Sequence, residues 1–177
     1  MSLDLEAVES FLEKAGDGPV LVFGFTYMIW KYFYEPLKKS GHKLHLEHGF
    51  MIHGGGWKKL ANEAVSAEQF RDGLREVCGI LDVRNYYGMA EQTGCIYMEC
   101  ECGHLHASSY SDVLIRNMED FSCCKNGTEG VIQVLTPMAW SYPGHSILTE
   151  DKGMILGEDD CPCGRKGKYI RITGRIP

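Results

Sequence analysis

Four groups of residues in this chain have types and spacings that could do chemistry. The first is Tyr86-Tyr87-Gly88-Met89-Ala90-Glu91-Gln92. An aromatic, a flexible glycine and a carboxylate together can hold a planar base and an ion. Tyr87 can stack on a ring, and Glu91 can hold Mg²⁺ beside phosphate oxygens. The same pattern also suits a turn with a surface glutamate. The second group is His53-Gly54-Gly55-Gly56-Trp57, followed by Lys58 and Lys59. Three consecutive glycines are costly in a regular helix or strand. They fit a tight turn, or a point where backbone must approach a ligand. No Gly-Lys-Ser/Thr follows, so this is not a Walker loop.

The third group is two matched turns, Cys100-Glu101-Cys102-Gly103 and Cys161-Pro162-Cys163-Gly164. Four thiolates can hold a structural Zn²⁺ tetrahedrally, and His104 and His106 offer substitutes for one of them. One intervening residue is shorter than the two to four usual in zinc knuckles. Reduced cysteines or a disulfide therefore remain alternatives. Cys123 and Cys124 are adjacent and lack the spacing of a redox pair, and Cys78 and Cys95 read as core. The fourth group is Thr149-Glu150-Asp151-Lys152-Gly153, with Gly164-Arg165 and Gly174-Arg175 downstream. A carboxylate can accept hydrogen bonds from two ribose hydroxyls, and arginine offers rigid donors to ribose or phosphate. An acidic turn with two surface arginines is the alternative.

These groups need elements to position them. Apolar residues at helical spacing predict a helix over 3–15, ended by Gly16 and Gly18. Residues 19–25 form an apolar run that reads as a buried strand. Thr26 is a candidate cap for a helix reaching Lys39, stopped by Gly41. Residues 42–49 alternate, but their polar members suit a parallel strand poorly. Ser66, with Glu68 and Gln69 behind it, starts a helix over 66–79, and Gly73 weakens its interior. Residues 80–88 are the next strand. Strand–helix–strand order predicts parallel pairing, and the aromatic–glycine–carboxylate segment then falls at the carboxyl end of a strand, where such sheets place ligands. After residue 94 the character changes. Short strand-like runs at 95–100, 112–117, 130–136 and 168–172 alternate with glycine- and cysteine-rich turns, with no amphipathic helix between them. The expected fold is α/β: a parallel layer over 1–94, then a smaller antiparallel β subdomain over 95–177.

Composition narrows the function classes. The chain has 177 residues, 44% of them hydrophobic and 24% charged, with a formal net charge of -6. That length can bury a core. The acidic balance argues against a general nucleic-acid binder, although Arg165, Lys166, Lys168, Arg171 and Arg175 share an acid-free stretch. No stretch reaches the length of a membrane span and no signal core is present. Eight cysteines outside a small secreted context predict a cytoplasmic chain with thiols reduced or metal-bound.

In combination, residues 53–59, 86–94, 148–155, 161–165 and 172–175 occur in the order seen in the adenylate-forming superfamily. The chain most resembles the LuxE-type acyl-protein synthetases, with the phenylacetate–CoA ligases as cousins. The resemblance spans essentially the whole chain. It implies part of the large N-terminal domain of an adenylate-forming enzyme. The implied reaction uses ATP and Mg²⁺ to activate a carboxylic acid, a fatty acid first and an aryl acid second. The acyl group then passes to a protein cysteine or coenzyme A. Gly54, Gly55 and Gly56 would line the acyl and adenine pocket. Tyr87, beside Gly88, would stack on adenine, Glu91 would contact Mg²⁺ as the catalytic carboxylate, Asp151 would hold the ribose, and Arg175 would precede the hinge to a mobile domain. Ala90 stands where the family has threonine, which removes a hydroxyl from the phosphate region. Residues 1–25 hold no serine-, threonine- and glycine-rich phosphate loop with a lysine, and no counterpart is found for the mobile-domain lysine or an acyl-accepting cysteine. The expectation is therefore an incomplete enzyme working with a complementary half. A non-catalytic nucleotide-binding domain and a zinc-stabilised structural module are the competing classes.

Overall fold

The computed structural model describes residues 2–57 and 62–176; Lys58, Lys59 and Pro177 lie outside the described residues. The fold is mixed α/β, with two compact units, residues 1–85 and 86–177. The segment Tyr86–Gln92 opens the second unit rather than closing the first.

In the first unit, α1 (Leu5–Ala15) is capped by the Asp4 carboxylate, which accepts from the Ala7 N–H at 3.0 Å. Strand β1 (Leu21–Phe25) runs parallel to β2 (Phe50–Gly54), with Leu21 opposite Phe50 and Phe25 opposite Gly54. The second strand is thus 50–54, while 42–49 forms no strand. In that segment the N–H groups of Leu44 and Leu46 donate to the carbonyls of Val77 and Cys78. The two leucines are buried, whereas Lys43, His45 and Glu47 face solvent. Between β1 and β2 lie α2 (Thr26–Ile29), a π-helical turn (Trp30–Tyr34) and α3 (Glu35–Ser40). Phe25, not Thr26, occupies the N-cap position, and the Thr26 hydroxyl is used elsewhere. Helix α4 (Ala67–Cys78) starts with the expected capping box: Ser66 Oγ accepts from the Gln69 N–H and Gln69 Oε1 accepts from the Ser66 N–H.

Strand β3 (Asp82–Tyr87) carries the chain from one unit into the other. In the second unit its last residues pair with β4 (Tyr97–Glu99), Tyr86 opposite Met98 and Tyr87 opposite Tyr97. The further strands are β5 (Leu105–His106), β6 (Asp112–Arg116), β7 (Gly130–Leu135), β8 (Ser146–Glu158) and β9 (Lys168–Arg175). From β4 they are ordered β4-β5-β9-β8-β7-β6, every pair antiparallel. No α-helix follows residue 95 among the described residues. Tyr97, Val113, Ile115, Ile132, Val134, Ile155 and Ile170 form the core of this unit. Two elements differ from the sequence reading. Residues 149–153 form no turn but lie inside the thirteen-residue β8, and the two-residue β5 has no sequence signature. The polar run Thr149-Glu150-Asp151-Lys152 hides the strand because hydrogen bonding to strands on both sides, rather than apolar side chains, holds it extended.

Gly73 lies in the middle of α4 for a packing reason. A Cβ there would stand 2.9 Å from Tyr34 Cε2 and 3.1 Å from Trp30 Cζ3. Those two rings stack on each other at 4.0 Å, and Trp30 also stacks on Phe70 at 5.7 Å, so neither can retreat freely. In an open helix Gly→Ala gains about 1 kcal/mol. Here overpacking, which costs about 1–3 kcal/mol, outweighs that gain. Gly73→Ala is expected to lower stability by about 1 kcal/mol in urea unfolding; a rise in the midpoint would contradict the close approach.

Candidate functional site

The strand ends and β8 bring two of the candidate residues into contact. Tyr87 Oη donates to Asp151 Oδ2 at 2.8 Å. Tyr87 is half-buried and packs against the Tyr97 ring at 5.8 Å. Burial, and then the hydrogen bond to Asp151, raise the phenol above its ordinary pKa, so it remains a neutral donor. Asp151 is oriented by Thr149, a member of the same group to which the sequence alone assigned no role. The Thr149 hydroxyl is buried, donates to the Ile132 carbonyl at 2.8 Å and accepts from the Asp151 N–H at 3.1 Å. The signal available was only its position two residues before the aspartate. Arg175 is directly opposite Asp151 in the β8–β9 ladder, yet its guanidinium pairs with Glu150, both side chains being exposed. The register shifts between Lys152 and Gly153, next to this position; such bulges re-aim neighbouring side chains.

Gly88 is exposed, and the chain then makes one 3₁₀ turn, Ala90–Gln92. Its backbone is pinned by the loop after β7. Tyr142 Oη donates to the Glu91 carbonyl, and the buried Gln92 amide donates to the Gly144 carbonyl. Neither anchor was apparent from sequence. The Glu91 side chain is left exposed to solvent on this held turn.

Gly54, Gly55 and Gly56 belong to the first unit. Gly54 ends β2 and is buried; Gly55 (φ 75°) turns the chain, and Gly56 is exposed. A buried polar chain holds this turn. His53 Nδ1 and Thr26 Oγ1 are 2.9 Å apart, and Thr26 Oγ1 donates to the Gly54 carbonyl at 3.2 Å. With one hydroxyl proton committed to Gly54, His53 must donate from Nδ1 to Thr26. His53 is 8% exposed and packs against Phe70 at 4.5 Å. Burial, aided by the Arg71 charge, lowers its pKa from 6.5 to about 4.

Among the cysteines, the donor atoms of Cys100, Cys161, Cys163 and His106 lie within 4.8 Å of one another. Cys102, the remaining member of the four-cysteine set, is exposed and interacts with Cys100 but is not one of these four converging groups. None of the eight cysteines forms a disulfide. Burial pushes the Cys161 thiol up to about 12.

The family model for "Acyl-protein synthetase, LuxE" matches residues 3–177. The chain belongs to the LuxE acyl-protein synthetase family. No curated protein matches this LuxE-family chain. Among solved structures it is similar to a long-chain-fatty-acid–CoA ligase from Archaeoglobus fulgidus, with 15% identity and a TM-score of 0.66, covering 99% of this chain and 37% of that one. It is also similar to ATP-bound MatB from Rhodopseudomonas palustris, at 17% identity and a TM-score of 0.62, covering 98% and 33%. A third is 2-hydroxyisobutyryl-CoA ligase in an open conformation with 2-HIB-AMP and CoA, at 17% identity and a TM-score of 0.70, covering 96% and 36%. The LuxE-family chain thus spans about a third of the length of these structures, and at such identities the likeness concerns fold. No described helix is long and apolar enough to cross a membrane.

The buried histidine makes stability pH-dependent. Its folded pKa is depressed, so the unfolded chain binds more protons between pH 4 and 6.5. The stabilisation is fully present above about pH 6.5 and is lost as pH falls toward 4. At about 1.4 kcal/mol per pKa unit, the loss is roughly 3 kcal/mol. Urea unfolding at both ends of this window should show the wild type losing about that much more than His53→Gln; equal losses would mean that His53 is not held neutral.

Proposed function

We propose that this chain supplies the adenosine-binding part of an ATP-dependent acyl-activating ligase. In the proposed reaction a carboxylate oxygen attacks the α-phosphorus of ATP, forming the acyl–phosphate bond as pyrophosphate leaves. A thiolate then attacks the acyl carbon and AMP departs. The substrate suggested by the family is a fatty acid, and the acceptor a protein cysteine, with coenzyme A as the other thiol class. The observation that carries this reading is the Tyr87–Asp151 pair, joining the end of β3 to the middle of β8, within a chain whose family model is that of acyl-protein synthetases.

The pair suits a ribose. The Tyr87 phenol occupies one carboxylate oxygen of Asp151, and Thr149 fixes the backbone beneath it. Oδ1 has lone pairs left to accept from ribose hydroxyls, and the phenol keeps the carboxylate from rotating away. The Tyr87 ring would stack on adenine beside Gly88. Glu91, exposed on its anchored turn, would hold Mg²⁺, which supplies charge stabilisation at the phosphates when bound. Arg175 would reach the ribose or phosphate only by leaving Glu150, an exposed pair that costs little to break.

These contacts bind adenosine about equally in the ground and transition states, which gives affinity without rate. Residues 1–25 contain no phosphate loop to stabilise charge on the transferring group, usually the largest catalytic contribution. Calorimetry on the 177-residue chain should therefore show weak AMP and ATP binding. Asp151→Ala should weaken it roughly 10–100-fold and Tyr87→Phe roughly 3–10-fold, in line with a charged and a neutral hydrogen bond. Pyrophosphate release with fatty and aryl acids should stay at background. Nucleotide affinity unchanged by Asp151→Ala would overturn the assignment. Turnover abolished by Glu91→Ala would show that these residues suffice for catalysis.

A further inference from the structure

We infer that Cys100, Cys161, Cys163 and His106 bind one structural zinc ion that clasps the β4–β5 and β8–β9 turns together. Four donors converge from three places. Cys100 follows β4, His106 lies in β5, and Cys161 and Cys163 lie in the turn between β8 and β9. Cys100 Sγ is 4.0 Å from Cys161 Sγ, and Cys163 Sγ is 3.5 Å from His106 Nε2. A tetrahedral zinc with bonds of about 2.3 Å to sulfur and about 2.0 Å to nitrogen sets its ligands roughly 3.5–3.8 Å apart. These two pairs are within a few tenths of an ångström of that spacing, and all four donors lie within 4.8 Å of one another.

The two cysteine turns are built alike, as donor-presenting loops are. Gly103 N–H donates to the Cys100 carbonyl and Gly164 N–H to the Cys161 carbonyl, both at 2.9 Å. Both glycines are left-handed, at φ 77° and 81°, which a side chain at either position would strain. The Cys102 N–H faces Cys100 Sγ and the Cys163 N–H faces Cys161 Sγ. Arg165 N–H donates to Cys163 Sγ at 3.4 Å, and His104 Nδ1 lies 3.2 Å from Cys161 Sγ. Three thiolates and a neutral imidazole leave one excess negative charge on a zinc site. These N–H groups are the outer partners that such sulfurs require.

A second observation points the same way. His106 is 5% exposed, and its Nδ1 is the buried side-chain nitrogen or oxygen left without a hydrogen-bond partner among the described residues. Its other nitrogen meets only the Cys163 sulfur, a weak partner when it is a thiol. Without an ion neither ring nitrogen has a strong partner, a cost of about 1–3 kcal/mol. Coordination through Nε2 gives that nitrogen one and places the ring proton on Nδ1. Tyr169 stacks on both His104 and His106, at 4.8 and 5.4 Å, and keeps the rings turned toward the sulfurs. Cys102 is exposed and lies beside Cys100, outside the four converging donors.

The test is metal analysis of the full chain purified without chelator, with cobalt(II) substitution as an independent readout. The wild type and Cys102→Ser should each carry about one zinc per chain. Cys161→Ser, Cys163→Ser and His106→Gln should each lose most of it. Wild-type protein exchanged into cobalt should show the intense visible bands of a tetrahedral thiolate site, and chelator should lower the melting temperature by roughly 10 °C. Wild-type protein with no zinc and no such cobalt spectrum would overturn the proposal, even if the variants failed to fold. Loss of zinc from Cys102→Ser equal to that from Cys161→Ser would overturn this ligand set.

Discussion

The second unit depends on the pairing of β8 with β9. Strand β8 is thirteen residues long and is hydrogen-bonded on one side to β7 and on the other to β9. Its buried residues are part of the core, Ile155 packing with Ile132, Val113 and Ile170. The ladder with β9 runs from Asp151 to Glu158, and its two ends are mechanically linked. Asp151 faces Arg175 at one end, and Glu158 faces Lys168 at the other, beside the Cys161 turn. At about 3.3 Å per residue these ends are roughly 23 Å apart. A constraint on the cysteine turn therefore fixes the start of β9, and the ladder transmits that register to the carboxylate.

A shared device appears in both units. A buried threonine hydroxyl accepts a hydrogen bond from a neighbouring group and donates one to a backbone carbonyl. In the first unit Thr26 accepts from His53 and donates to Gly54; in the second, Thr149 accepts from the Asp151 N–H and donates to Ile132. A hydroxyl suits this role because it donates and accepts through one atom and rotates to fit. Each fully used hydroxyl removes the penalty of a buried polar group and fixes the backbone beside a candidate ligand contact.

The local elements were legible where sequence periodicity and burial agree. The capping box at Ser66, the stripe of Phe70, Leu74 and Val77, and the short apolar strands after residue 94 are cases where the side chains facing the core also set the period. Legibility failed where backbone partners decided the conformation. The segment 149–153 looks like an acidic turn, but neighbouring strands on both sides hold it straight. The segment 42–49 alternates as a strand would, although its polar members suit one poorly, and its two buried leucines bond to the end of α4. Gly73 looked like a weakness in a helix, and the Trp30 and Tyr34 rings packed against it account for it.

The sequence by itself determined the inventory of the candidate site: which residues carry carboxylate, phenol, thiol and imidazole, and in what order along the chain. It also determined the two Cys-x-Cys-Gly turns, because their geometry is local and rests on glycines that can take a left-handed φ. Tertiary structure alone decided which of those groups meet. Tyr87 and Asp151 are 64 residues apart and touch because the fold brings the end of β3 to the middle of β8. His106 rather than Cys102 joins the sulfur cluster because β5, too short to leave a pattern, pairs His106 with Tyr169 and turns its ring inward. Contacts between residues so far apart depend on strand register, and register is fixed by hydrogen bonds and packing between strands that no single segment encodes.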